Sequence, residues 1–230
     1  MSKRNIALFG ATLVSIIYGV TFTIAKDVMP AYIDAYGFIL LRVTGATLLF
    51  WICWFFMPKE KIDLGDFPRI LAAAFFGVAF NMLTFFKGLS LTSPISASVI
   101  MVTTPMIVLV LSAIIMKELM EKYNAFTFVK WIYLFGFFMV LPFGWSQFEA
   151  VNWAVVPLSI YWKIGFVVAI STFVTYLLNL LTMKELKPTT VAVFIYLQPL
   201  FATVFAIGLG KDDLSLVKII SALLIFVGVY

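Results

Sequence analysis

The side chains best placed to contact a solute are polar residues that lie inside long apolar runs of this 230-residue sequence. Asn179 and Gln198 are the largest neutral hydrogen-bonding groups among them, and lipid offers such groups no partner. For any single serine or threonine, a hydrogen bond between two helices is the simpler interpretation. The set as a whole favours a polar-lined pathway. Its members are Tyr18, Arg42, Asn81, Thr84, Ser98, Thr104, Tyr176, Asn179, Tyr196 and Gln198.

Arg42 and Lys130 are the charged side chains inside these runs. Arg42 either binds an anionic group in the protein interior or extends along its helix to the lipid headgroups. The sequence leaves these two alternatives open for Arg42. Lys130 is close to the end of its apolar run, which favours a headgroup anchor.

The sequence offers little for catalysis or metal binding. It contains no histidine and one cysteine, Cys53, and its acidic residues lie outside the apolar runs. A nucleophile with its base, a pair of carboxylates or a set of metal ligands therefore has few residues to draw on. We expect no metal, no cofactor and no enzymatic activity, and an integral-membrane enzyme is the less favoured alternative.

Composition predicts an all-α integral membrane protein. Hydrophobic residues make up 63% of the chain and charged residues 12%, whereas soluble domains carry about 25% charged residues. A bilayer is the environment that suits such a surface. The net charge of +5 comes from lysines and arginines that flank apolar runs, so we expect contact with lipid headgroups and no nucleic-acid partner.

Run lengths predict about eight membrane spans. A span needs roughly 20 apolar residues, and the last predicted run is shorter than that. The tryptophan- and tyrosine-rich stretch 146–162 is interpreted as a loop at headgroup level. The predicted spans are 6–25, 35–57, 70–86, 94–116, 125–145, 164–183, 188–210 and 219–230.

Two of these spans are copies of one pattern. Residues 94–118 read PISASVIMVTTPMIVLVLSAIIMKE, and residues 188–212 read PTTVAVFIYLQPLFATVFAIGLGKD. Pro94 and Pro105 recur as Pro188 and Pro199 at one offset. The copies are the fourth and seventh spans, three positions apart, so they cross in opposite directions and the repeat is inverted. Pro105 and Pro199 are predicted hinges near mid-membrane, with a static kink as the alternative.

Several residues carry a resemblance to a known family. They are Tyr18-Gly19 and Phe22 in the first span, Arg42 and Gly45 in the second, and the helices that open SPISASVI and KPTTVAVFIYLQP. The chain resembles an EamA-type member of the drug/metabolite transporter superfamily. The resemblance implies ten helices in two inverted repeats, a bacterial inner membrane, and alternating-access export or exchange of small metabolites such as amino acids, nucleobases or drug-like solutes. It also implies cytoplasmic termini, which agrees with the excess of lysine and arginine on the N-terminal side.

The sequence departs from that pattern by about two helices. The end of the fourth span runs directly into residues 119–124, where the family would continue with two further helices. We therefore expect repeats at 1–118 and 119–230, the second one incomplete, with four spans each. A transport-inactive or accessory membrane protein is the alternative function, and a homodimer would restore the missing cavity wall.

Overall fold

The computed structural model describes residues 2–57, 59–101, 119, 122–216, 218–220, 223 and 227. Within these ranges the chain is helical, and five helices are long and apolar enough to cross a membrane. The helices are α1 (Lys3–Val28), α2 (Ala35–Trp54), α3 (Phe67–Ala74, Phe75–Phe80 and Asn81–Leu91), α4 (Pro94–Met101), α5 (Ala125–Glu149), α6 (Leu158–Gly165, Phe166–Val174 and Thr175–Glu185), α7 (Pro188–Tyr196) and α8 (Gln198–Gly208).

The five long helices, α1, α2, α3, α5 and α6, lie where the apolar runs predict spans. The predicted fourth span is described only at its start, as α4, and the run 219–230 only at isolated residues. The predicted seventh span is divided into α7 and α8 at Leu197. The all-helical membrane fold is therefore confirmed, while the remaining part of the fourth span lies outside the described residues.

The loop predicted at 146–162 is too long at both ends, since the connection covers only 150–157. The helix α5 continues to Glu149 and α6 begins at Leu158. The side-chain oxygen of Gln147 accepts hydrogen bonds from the backbone N–H groups of Tyr36 (2.8 Å) and Gly37 (3.0 Å), which caps the first turn of α2. These hydrogen bonds stabilise the extension of α5 beyond its apolar run. Because they join residues far apart in the chain, local composition does not reveal them.

Side-chain contacts fix the direction of each helix. Ser15, Gly19 and Asp27 of α1 contact Phe194, Phe201 and Lys211 in that order, so α1 runs parallel to α7 and α8. Thr21 contacts Ser171 and Asp27 contacts Lys163, so α1 runs antiparallel to α6. Asp27 thus marks one end of the bundle, the Asp27 end. Asp66, which is bonded to Lys122 and Tyr123, marks the opposite Asp66 end.

The two proline-bearing segments begin at opposite ends of the bundle. The backbone N–H of Ile95, in the first turn of α4, donates to a carboxylate oxygen of Asp212, which follows α8, at 3.2 Å. The first segment therefore begins at the end of the bundle where the second one finishes. This is the inverted arrangement that the span count predicts.

A wide π-helical turn occurs in each of the helices that precede the two proline-bearing segments, α3 and α6. The residues Phe75–Phe80 of α3 and Phe166–Val174 of α6 are π-helical. The offset that relates Pro94 to Pro188 places the first π segment inside the second. π-Helical turns inside α-helices are uncommon and are frequent at functional sites, so the duplication extends to this irregularity.

Candidate functional site

Polar side chains from the long helices meet in the middle of the bundle. We call this group the central polar cluster. Its members come from α1, α2, α5 and α6, with a ring of α3 packed against it. They are Tyr18, Thr21, Arg42, Tyr133, Ser171, Thr172, Thr175, Tyr176 and Asn179.

Arg42 is the only charged member of the cluster, and it points inward. Its side chain is 6% exposed, and its Nε atom donates to the Thr172 hydroxyl at 2.6 Å. One Nη atom lies 3.5 Å from the Ser171 carbonyl, and the guanidinium lies 4.8 Å from the ring centre of Phe86. Arg42 begins about 10 Å along α2, from seven residues at 1.5 Å each, so this buried charge lies about a third of the way along the helix.

The π-helical turn of α6 orients the partner of Arg42. The Thr172 hydroxyl donates to the Val167 carbonyl, five residues back, at 2.7 Å. Because its proton is committed to Val167, the oxygen of Thr172 presents lone pairs to the Arg42 Nε–H. The π segment is thus a structural requirement of this contact, since an ordinary α-turn aligns the hydroxyl with the carbonyl three or four residues back.

No carboxylate neutralises Arg42 among the residues that the structure describes. Each ion pair found in those residues involves a lysine, at one end of the bundle or the other. The groups around Arg42 are hydroxyls, a backbone carbonyl and an aromatic ring. A buried charge with only neutral partners is costly, and in membrane proteins such charges usually bind something.

Three tyrosines, Tyr18, Tyr133 and Tyr176, lie near Arg42. The rings of Tyr133 and Tyr176 meet edge to face with centres 5.0 Å apart. Tyr18 lies beside Tyr176, Thr175 and Asn179, and both Tyr18 and Tyr133 are close enough to Arg42 to feel its charge. The Tyr133 hydroxyl is buried and has no hydrogen-bond partner within the described part of the chain. It interacts with the Tyr176 side chain, whose ring stands edge-on to it, without a hydrogen bond of normal length.

The break between α7 and α8 carries two of the predicted residues. Gln198 and Pro199 are buried in the first turn of α8, where proline is well tolerated because its missing N–H has no helical partner. The carbonyl of Phe194, just before the break, accepts a hydrogen bond from Ser15 of α1 at 2.6 Å. The same carbonyl accepts from the Leu197 backbone N–H at 3.2 Å, so α1 adds a second donor at the break. Tyr196 is half-buried at the end of α7.

Other predicted residues lie away from the cluster or outside the described ranges. Ser98 is buried and its hydroxyl donates to Ile95 of its own helix. Thr84 is exposed, and its hydroxyl likewise bonds within α3. Asn81 is half-buried at the junction after the π segment. Thr104 and Pro105 lie in 102–118, outside the described residues.

Lys130 is enclosed rather than extended toward solvent. Its side chain is 2% exposed, and its Nζ lies 4.6, 4.1 and 5.2 Å from the ring centres of Trp51, Trp54 and Trp131. Cation–π attraction stabilises an ammonium in such a cage. The predicted headgroup anchor is therefore wrong in detail, because tryptophan rings cover the charge.

Charged groups tie the helices together at the Asp27 end. Asp27 of α1 pairs with Lys163 of α6 and with Lys211, at 2.7 Å for the latter. Lys26 donates to the carbonyls of Leu89 (3.1 Å) and Ser90 (2.7 Å) of α3. We call these contacts the Asp27 network. At the other end of α1, the contacts are apolar, around Ala7 and Leu186.

Asp212 and Lys122 show how the two ends are stabilised. Burial opposes the ionisation of Asp212, but hydrogen bonds from Lys218 and from the Ile95 backbone outweigh it, so the pKa of Asp212 is lowered. At the Asp66 end, hydrogen bonds with Asp63 and Asp66 raise the pKa of Lys122. Both groups are therefore charged near neutral pH.

Sequence comparison identifies the family of this chain. The profile of the EamA-like transporter family matches the chain twice, over residues 5–123 and 111–230. The chain belongs to the EamA-like transporter family. It is a multi-pass membrane transporter of the drug/metabolite type, and the double match agrees with the internal repeat. The search of curated proteins and the search of solved structures each found no match.

Proposed function

We propose that this EamA-family protein moves a small metabolite across the membrane by alternating access, with the central polar cluster as the solute site. The observation that carries the proposal is the convergence of polar side chains from α1, α2, α5 and α6 on one buried location at mid-depth. Polar groups are costly in hydrocarbon, so a cluster of this size indicates a site for a polar ligand. Transporters with inverted repeats bind solute near the midplane in this way.

The Asp27 network acts as one gate in this proposal. It joins α1 to α3, α6 and the segment after α8, so it closes the cluster on that side. At the other end of α1, the contact between Ala7 and Leu186 is apolar. Helix bending at the α7–α8 break and at the π segments would let the bundle open on each side in turn. Pro105 and Pro199 remain the proposed hinges.

The expected solutes are small metabolites such as amino acids, nucleobases or drug-like compounds, moved by export or exchange. The membrane spans contain no aspartate, glutamate or histidine in the predicted boundaries, so a carboxylate relay for protons or sodium lacks its usual residues. A solute gradient is therefore the proposed driving force. We further propose a bacterial inner-membrane location with both termini in the cytoplasm.

A flux assay in proteoliposomes tests the proposed function. Purified protein is reconstituted into liposomes that are loaded with unlabelled solute. Counterflow of labelled amino acids, nucleobases and organic acids into these liposomes is then measured. We expect counterflow of at least one solute class, and a several-fold loss in Asn179→Leu because the cluster loses an amide. Asn152→Leu removes an amide from an exposed segment and serves as the matched control. Equal flux in the two variants would remove Asn179 from the pathway.

A transport-inactive or accessory role is the second candidate, favoured by the departure from ten helices. Absence of flux for every solute class, in protein that remains folded, would support it. A homodimer that completes the cavity wall is distinguishable by cross-linking the same membranes. Flux that appears only in cross-linkable samples would assign transport to the dimer.

A further inference from the structure

The guanidinium of Arg42 has hydrogen-bonding capacity that its recorded partners do not use. It carries five N–H donors. Among the described residues, one donor bonds to Thr172 at 2.6 Å and one reaches Ser171 at the long distance of 3.5 Å. Among the described residues, the remaining donors lie in a buried region near the Tyr133 hydroxyl, which has no hydrogen bond of normal length there. Within that part of the chain, Arg42 therefore has more N–H donors than bonded acceptors.

We infer that the central polar cluster binds the anionic group of a small organic acid, with Arg42 as its counter-charge and Tyr133 as an added donor. The inference rests on the proposed function and specifies its substrate class. A carboxylate is planar and accepts two parallel hydrogen bonds from a guanidinium, which is the strongest pairing available to arginine. It would accept the hydrogen bonds that the described partners of Arg42 leave unused.

The charge count selects a monoanion. Arg42 is the only charged side chain in the cluster, so one negative charge is neutralised there. A dianion such as a phosphate monoester would keep an uncompensated charge in a site of low dielectric, which is unfavourable. A cationic solute would meet the arginine as a like charge. Small carboxylates are therefore preferred over both.

Aromatic rings complete the site and indicate an apolar body for the solute. The ring of Phe86 faces the guanidinium, and Tyr176 stands edge-on to Tyr133. The ring centre of Phe50 lies 5.1 Å from that of Tyr133 and 4.8 Å from that of Phe173. An organic acid with an aromatic or branched apolar part would pack against these rings while its carboxylate contacts Arg42.

Three probes that share a benzene ring and differ in charge test the inference. The full-length protein is purified in lipid nanodiscs, and its thermal unfolding is followed with millimolar benzoate, benzamide or benzylammonium at neutral pH. Ligands that bind the folded state raise the unfolding temperature in proportion to their affinity. We expect benzoate to raise it clearly, and benzamide and benzylammonium to raise it little or not at all. Equal shifts for benzoate and benzamide, no shift with benzoate, or a larger shift with benzylammonium would overturn the inference.

Two variants locate the effect in the cluster. Tyr133→Phe removes a hydroxyl that has no hydrogen bond of normal length among the described residues, so the protein is expected to fold with unchanged stability but to bind benzoate about tenfold more weakly, the loss of one hydrogen bond to a charged group. Arg42→Lys keeps the charge without the planar fork and is expected to weaken binding further. Tyr32→Phe, in an exposed turn, and Arg69→Gln, on an exposed side chain, are the matched controls. Unchanged benzoate affinity in Tyr133→Phe and Arg42→Lys would also overturn the inference.

The flux assay separates failure of the inference from failure of transport itself. Counterflow of neutral or cationic solutes without any preference for carboxylates would overturn the substrate class while transport stands. Absence of counterflow for every solute, together with a benzoate shift that requires Arg42, would keep the carboxylate site and overturn transport.

Discussion

The Nε atom of Arg42 donates a 2.6 Å hydrogen bond to the hydroxyl of Thr172, and that hydroxyl in turn donates to the carbonyl five residues earlier, Val167. One threonine thus links a buried charge on α2 to a π-helical turn of α6. The pairing joins residues that lie 130 positions apart in the sequence.

Replacement of Thr172 tests the importance of that link. Thr172→Val has the same shape but lacks the hydroxyl, so the Arg42 Nε–H loses its acceptor. We expect a loss in the free energy of unfolding of about 1–3 kcal/mol, the cost of leaving a buried donor unsatisfied. Denaturation in detergent with urea or heat measures the change.

Thr84→Val is the control for this substitution, since Thr84 is exposed on α3 and its hydroxyl bonds only within its own helix. A change within about 0.5 kcal/mol is expected there. If the two variants were equally stable, the Arg42–Thr172 contact would contribute nothing to the free energy of unfolding.

Removal of the proline at the α7–α8 break tests its role as a hinge. Pro199→Ala restores a backbone N–H that can continue the helix across Leu197. We expect unchanged or greater thermal stability together with a several-fold lower flux, because a continuous helix bends less readily. Pro68→Ala, at the exposed start of α3, is the control and should leave flux unchanged. Undiminished flux in Pro199→Ala would show a static kink.

Acid should weaken the contact between α4 and the segment after α8. The folded-state pKa of Asp212 lies below its ordinary value, so its stabilising contribution is present above about pH 4 and is lost as the pH falls through the lowered value. The pH dependence of the unfolding temperature measures this. Asp212→Asn should have a flatter profile than the wild type over the acidic range. Parallel profiles would remove Asp212 from the pH response.

Much of the fold was predictable because span length and apolar composition are properties of short segments. The α1, α2 and α3 helices, the inverted repeat and the membrane class follow from them. The extent of α5 was not predictable, because it depends on Gln147 reaching the start of α2, a contact between residues far apart in the chain. The π segments likewise leave no simple pattern in the sequence.

The site was predictable only in part, for a similar reason. Four of the predicted polar residues lie close together inside the bundle, as expected of polar side chains in membrane spans. They are Tyr18, Arg42, Tyr176 and Asn179. Tyr133 was missed because a tyrosine in a phenylalanine-rich span resembles packing; only its buried hydroxyl and its position beside Arg42 distinguish it. Ser15 was missed because its acceptor, the Phe194 carbonyl, lies 179 residues away in the sequence.

Alternating access predicts that the cluster is reachable from each side of the membrane in turn. The test is to replace Asn179 with cysteine in a Cys53→Ser background and to label it with an impermeant thiol reagent from either side of oriented proteoliposomes. A second version carries Asp27→Cys and Lys211→Cys, joined by a short thiol cross-linker before labelling, because these residues pair in the Asp27 network. We expect labelling from both sides without the cross-link, and labelling from the Asp66 side alone once the network is locked. Labelling from one side only in the unlocked protein, or from both sides in the locked protein, would contradict alternating access through this cluster.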